Sequence, residues 1–132
     1  MQNVELFDVA LKGCGYCALH IPNSTSESTL VATRCDFAKS RYGAEVDGSL
    51  TSATFNNCVF HDNELDGIFG FQSTIHLHGE ATAIHSNGRR GISAGFSGKV
   101  VIHLPSHHNT SYNNGDEDQY TIGGATITNV ED

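Results

Sequence analysis

Apolar and polar residues alternate along this chain in short runs and do not settle into the 3.6-residue spacing of a helix. Ser52-Ala-Thr-Phe-Asn-Asn-Cys-Val-Phe60 and Lys99-Val-Val-Ile-His-Leu104 are the clearest runs. Their period of two predicts short strands. The runs also recur. Residues 60–70 align with 84–94 at an offset of 24, with His61/His85, Asn63/Asn87, Gly67/Gly91 and Ile68/Ile92 identical. Residues 75–88 align with 102–115 at an offset of 27, pairing His76 with His103 and Asn87 with Asn114. Cys35–Phe37 aligns with Cys58–Phe60 at an offset of 23, and Tyr16 aligns more weakly with Tyr42.

A repeat in the mid-twenties is too short for an α-solenoid, and the leucine and asparagine pattern of a leucine-rich repeat is missing. Three short strands per unit, joined at Gly and Asn turns, fit it best. The expected fold is all-β: a right-handed single-stranded parallel β-helix of about five to six coils. At about 4.8 Å per coil it is a stub roughly 25 Å long. One column carries independent weight. Cys14, Ser40, Asn63, Asn87 and Asn114 fall at equivalent positions. Stacked Asn side chains there can bond from rung to rung while tolerating the left-handed backbone of a tight turn.

The two full motifs read Asn63-Glu-Leu-Asp-Gly67-Ile68 and Asn87-Gly-Arg-Arg-Gly91-Ile92. In them the chain resembles the pectin-lyase-like right-handed β-helix superfamily, particularly its carbohydrate-binding and sugar-hydrolase repeat modules. The resemblance covers about residues 30–128. It implies architecture rather than activity, because this fold hosts lyases, hydrolases, epimerases, adhesins and interaction scaffolds.

Composition narrows the picture. The 132 residues suffice for one domain spanning 1–132, with 38% apolar residues, no Trp and a formal charge of −8. So acidic a chain repels phosphate backbones and anionic lipid heads, so neither nucleic acid nor a membrane is an expected partner. No signal-peptide pattern or apolar membrane-length run is visible. No capping helix is visible either, so the expectation is a segment of a longer β-helix or a homo-oligomer joined through exposed ends. Residues 22–28 read as a polar insertion.

Catalytic chemistry on this fold requires carboxylates to converge on neighbouring coils. The aligned columns instead pair Lys39 with Asp62, Arg41 with Glu64 and Asp66 with Arg90, which reads as rung-to-rung ion pairing. Asp47, Asp62, Asp66 and Glu80 remain candidates for meeting across strands, and Asp116–Asp118 reads as a solvated loop. No catalytic residue is assigned. A flat face of His, Thr and Asn would mark a binder, and a groove with converging carboxylates an enzyme.

The expected function is therefore a non-catalytic module for a polysaccharide or protein ligand. The alternative is a polysaccharide-active enzyme or part of one. Candidate binding residues are the in-register histidines His61 with His85 and His76 with His103, plus Arg89 and Arg90, whose guanidinium groups suit carboxylates. A shared transition metal on the histidines, with His78 or His107 and His108 adding ligands, is the weaker reading, and no cofactor or metal is assigned. Cys14 and Cys17 have CxxC spacing without a second ligand pair, and Cys35 and Cys58 read as small buried residues. The sequons at Asn23 and Asn109 bear only on a secreted context. The Thr126-Ile-Thr128 motif does not recur as an ice-binding array would.

Overall fold

A computed structural model describes residues 2–104 and 111–131. Strands and turns wind into five coils of three strands each, followed by one further strand. The coils are β1 (Gln2–Phe7), β2 (Ala10–Lys12) and β3 (Cys17–Ile21); β4 (Ser28–Thr33), β5 (Asp36–Ala38) and β6 (Tyr42–Asp47); β7 (Thr51–Asn56), β8 (Val59–His61) and β9 (Ile68–Phe71); β10 (Thr74–His78), β11 (Ala83–His85) and β12 (Arg90–Gly95); β13 (Lys99–Leu104), β14 (Ser111–Tyr112) and β15 (Glu117–Ile122). β16 (Thr126–Glu131) continues the winding. Every named strand pairs in parallel with its equivalent on the next coil. Three sheets result: a six-stranded first sheet from β1 to β16, a five-stranded second sheet from β2 to β14, and a five-stranded third sheet from β3 to β15.

Alternation along each strand sends one set of side chains inward, and equivalent residues stack into columns. Leu30, Ala53, Ile75 and Val100 form one column, and Ala44, Ile68 and Ile92 another. Phe37, Phe55 and Phe60 are fully buried and fill the middle of the cylinder, with Phe37 stacked on Phe60 at 5.0 Å and Phe55 edge-on to Phe60 at 4.9 Å. Cys35 and Cys58 are buried among them, and burial pushes the Cys58 thiol up to about 11. The fifth coil and β16 turn several columns from apolar to polar: Ser111 follows Ile84, Gln119 follows Ile92, and Asn129 follows Ile102, while Ile127 keeps the Val100 column apolar.

The corners are turned by single residues in the left-handed region. Gly13, Lys39, Asp62, Ser86 and Asn113 line the second corner with φ between 54° and 71°. A short polar side chain tolerates this backbone better than a branched one does. The ladder asparagines are not the left-handed residues, contrary to expectation. Asn63, Asn87 and Asn114 each follow one, which turns their amides inward to the neighbouring rung. The Asn87 side-chain amide donates to the Asn114 Oδ1 at 2.9 Å and to the Phe60 carbonyl at 3.2 Å. Its own Oδ1 accepts from the Asn63 amide side chain at 2.9 Å and from the Asn63 backbone at 3.2 Å. The column continues through Ser40, whose N–H donates to Asn63 at 3.2 Å, to Cys14, whose N–H donates to the Ser40 hydroxyl at 3.1 Å.

This ladder, with the close approach of the next coil (the Gly67 carbonyl would lie 2.4 Å from a Cβ on Gly43), accounts for the glycine of the repeat. A Cβ on Gly67 would lie 2.8 Å from the Asn87 Nδ2 and 2.6 Å from the Ile84 Cγ2. On Gly43 it would meet the Asn63 Nδ2 at 2.9 Å, and on Gly91 the Asn114 Nδ2 at 2.6 Å. Each asparagine therefore occupies the space above the glycine of the coil before it. These glycines answer a close approach, not a special φ.

Candidate functional site

Three outward surfaces bring chemistry-bearing side chains together. On the third sheet, strand alternation points Glu45 and Asp47 of β6 the same way, and the parallel register sets His20 of β3 beside Glu45. The His20 Nε2 lies 3.1 Å from the Glu45 Oε2 and 3.0 Å from the Asp47 Oδ2. One donor atom from each residue falls within 4.8 Å of the other two, a spacing that suits a cation as well as a shared proton. Burial, the hydrogen bond that protonated Glu45 donates to Asp47, and the Asp47 charge push the Glu45 carboxyl up to about 7. The same burial, with the charges of Glu45 and Asp47, pushes the Cys17 thiol up to about 12. The CxxC pair therefore presents a protonated, unreactive sulfur at Cys17.

Aromatic rings adjoin the carboxylates. Phe69 follows Glu45 along its row, and Phe71 follows Asp47. Tyr42 is edge-on to Phe69 at 5.9 Å and to Tyr16 at 5.4 Å, while Phe71 leans on Phe96 at 5.1 Å. Tyr16 and Phe96 are each 50% exposed. Tyr16, Asn23, Tyr42, Glu45, Asp47, Phe69, Phe71 and Gln72 line a shallow open groove of about 410 Å³.

The protonated Glu45 has a consequence for stability. Its folded pKa lies above the usual 4.5, so between these values the folded chain holds a proton that the unfolded chain has released. Stability then falls as pH rises through that window. Glu45→Gln is expected to flatten this dependence and to stabilise the protein by about 1 kcal/mol at pH 8. Urea denaturation at pH 5 and pH 8 measures it; an unchanged slope would contradict the assignment.

On the second sheet, His61 and His85 are neighbours in register, with rings stacked at 5.3 Å, and Tyr112 continues the stack at 5.1 Å from His85. Both nitrogens of His61 are engaged, Nε2 with Asp36 at 2.8 Å and Nδ1 with the Asp62 carboxylate. The His85 Nδ1 meets the Ser86 hydroxyl at 2.9 Å. Hydrogen bonding from His61 holds the Asp62 carboxyl below its usual range. Among the described residues, Lys39 and Arg41 form no ion pair with Asp62 or Glu64, contrary to expectation; Arg41 instead lies 5.9 Å from the Tyr16 ring.

On the first sheet, the register offset is 25 rather than 27, so His76 lies beside Val101 and the row of His78 runs to His103. His76 and His103 still meet diagonally, Nδ1 to Nε2 at 2.8 Å, and His78 stacks on His103 at 3.8 Å. Burial and the two neighbouring imidazoles lower the pKa of His76. His107 and His108 lie outside the described residues.

The two arginines separate. Arg89, not Arg90, grips Asp66, with Nε and Nη2 at 2.9 and 2.8 Å from its two carboxylate oxygens. The Arg90 guanidinium lies 3.6 Å over the Tyr120 ring and 3.5 Å from Glu117. Both charges are met within the chain. Of the four acidic candidates, Asp47 stands with Glu45 around His20, Asp62 shares His61 with Asp36, Asp66 is buried under Arg89, and Glu80 is exposed.

Residues 2–131 match the right-handed β-helix region, and the chain belongs to that family. No curated protein and no solved structure matches it.

Proposed function

We propose that this β-helix module binds carbohydrate, without turnover, along the outer face of the third sheet. The observation that carries this reading is the groove itself, where Tyr42, Phe69 and Phe71 stand next to Glu45, Asp47, Asn23 and Gln72. Sugar rings offer C–H faces that settle on aromatic rings, and hydroxyls that bond to carboxylates and amides. A mostly preformed cleft with apolar walls and a few convergent polar groups suits such a ligand. The acidic groups favour neutral sugars over uronates, because nearby Arg89 and Arg90 are already paired.

A second reading has its own support. Glu45, raised to about 7, stands beside Asp47 as a proton donor next to an ionisable partner. Carboxyl pairs with separated pKa values perform acid–base cleavage of glycosides. Affinity electrophoresis on neutral polysaccharides, run with an assay for new reducing ends, separates the two. Binding without turnover is expected, and Phe69→Ala should weaken it by about tenfold, the loss of one stacking surface. Turnover abolished by Glu45→Gln would install the enzyme reading. Silence in both assays would turn the proposal toward a protein ligand.

A further inference from the structure

The histidines of the first sheet form a cluster distinct in place and chemistry from the acidic groove. His76 and His78 are two residues apart on β10 and point to the same outer face, while β13 brings His103 alongside. One ring nitrogen from each of the three falls within 4.8 Å of the others. Ring centres are 3.8 Å apart for His78 and His103, 5.1 Å for His76 and His103, and 6.3 Å for His76 and His78. All three are half-buried. From this arrangement we propose that His76, His78 and His103 form a site for a borderline divalent transition metal, Zn²⁺ or Cu²⁺.

Three observations carry the choice. First, the spacing fits. Nitrogens bound to tetrahedral zinc at about 2.0–2.1 Å sit roughly 3.3 Å apart. The 2.8 Å contact and the 4.8 Å limit bracket that value, so small side-chain rotations close the site. Second, the donor set selects the ion. The register surrounds the cluster with Thr54 and Val101 beside His76 and with Asn56 beside His78. Among the described residues no carboxylate stands in these rows, so calcium and magnesium, which need charged oxygen ligands, are disfavoured while imidazole-binding metals are favoured. Third, three protein nitrogens are the ligand number of zinc sites that take a water or substrate in the fourth position. The 2.8 Å contact between His76 and His103 requires hydrogen on one of its two nitrogens. Coordination moves that hydrogen to the remote nitrogen of the same ring, leaving a lone pair toward the metal.

The second-sheet histidines provide an internal control. His61 is already held by Asp36 and Asp62, and His85 by Ser86. The test is a Zn²⁺ titration of the intact chain in competition with a chromogenic chelator, followed by electron paramagnetic resonance with Cu²⁺ to detect nitrogen hyperfine structure. One equivalent of Zn²⁺ is expected, weakened about tenfold or more in His76→Ala, His78→Ala and His103→Ala, since each removes one of three ligands. His61→Ala and His85→Ala should bind as the parent does. Thermal melts without metal show whether each variant is folded, and His76→Gln repeats the test if the alanine variant is not. Parent-like binding by the three variants, equal loss in the two controls, or a Cu²⁺ spectrum without nitrogen coupling would overturn the site.

Discussion

Arg89→Ala is expected to destabilise the protein by about 3–5 kcal/mol, because it strands a buried carboxylate. Asp66 is 0% exposed, and its charge is answered by the two-point grip of Arg89 and by the Arg90 backbone N–H at 3.2 Å. Removing the guanidinium leaves one backbone donor facing a full negative charge. The Arg89 side chain is 31% exposed, so water reaches the vacated space and the loss falls at the lower end of that range. Arg89→Lys restores the charge but not the fork, and only part of the loss returns. Asp66→Asn combined with Arg89→Ala removes the stranded charge and is expected to be more stable than Arg89→Ala alone. Urea denaturation of the three variants measures this. A loss below about 1 kcal/mol for Arg89→Ala would mean that the pair behaves as a surface ion pair.

Asn87→Ala has the next largest expected effect, about 3 kcal/mol, because it removes four hydrogen bonds between coils at once and strands two buried backbone groups. Asn87 is 2% exposed and bridges two interfaces between coils. Its loss deprives the Phe60 carbonyl and the Asn63 backbone N–H of the side-chain partner, while the Asn63 side-chain amide keeps the Phe37 carbonyl and the Asn114 Oδ1 keeps the Asn87 backbone N–H. Each orphaned group costs about 1–3 kcal/mol before relaxation, and water entering the smaller side chain's space returns part of it. Gly67→Ala tests the same contact from below, since its added Cβ collides with the Asn87 Nδ2 and the Ile84 Cγ2. In the Asn87→Ala background the Asn87 clash disappears, and those with Ile84 Cγ2 and the Gly91 carbonyl at 2.9 Å remain. Gly67→Ala should therefore cost less there than in the parent. Strict additivity in a double-mutant cycle would contradict the proposed stacking.

The architecture was legible because stacking forces identical solutions on successive coils. Asn63, Asn87 and Asn114 recur since each must bond its neighbour, and Gly43, Gly67 and Gly91 recur since each lies beneath an asparagine. The acidic groove was not legible by the same route. Aligning coils finds neighbours across rungs, whereas Glu45 and Asp47 are neighbours along one strand, two residues apart. Strand alternation applied to residues 42–47 was the signal that could have found them. Their partner His20 lies in the first coil, which carries no N-x-x-x-G-I motif to fix its register. For His76 and His103 the pair was visible but its geometry was not. The register offset is 25 in the first sheet and 27 in the second, and length changes between strands hide such a shift. Arg89 and Arg90 show a related limit: adjacent residues in a turn diverge, and backbone direction decides which reaches Asp66.

The most direct test of carbohydrate binding by the third sheet is a ¹H–¹⁵N spectrum of the labelled chain titrated with neutral hexasaccharides of glucose, xylose and mannose. Saturable shifts in the amides of β6 and β9 and of residues 71–72, with the first sheet unmoved and the shifts lost in Phe69→Ala, are the predicted result. No saturable shift with any of the three sugars, or shifts confined to the first sheet, would contradict it.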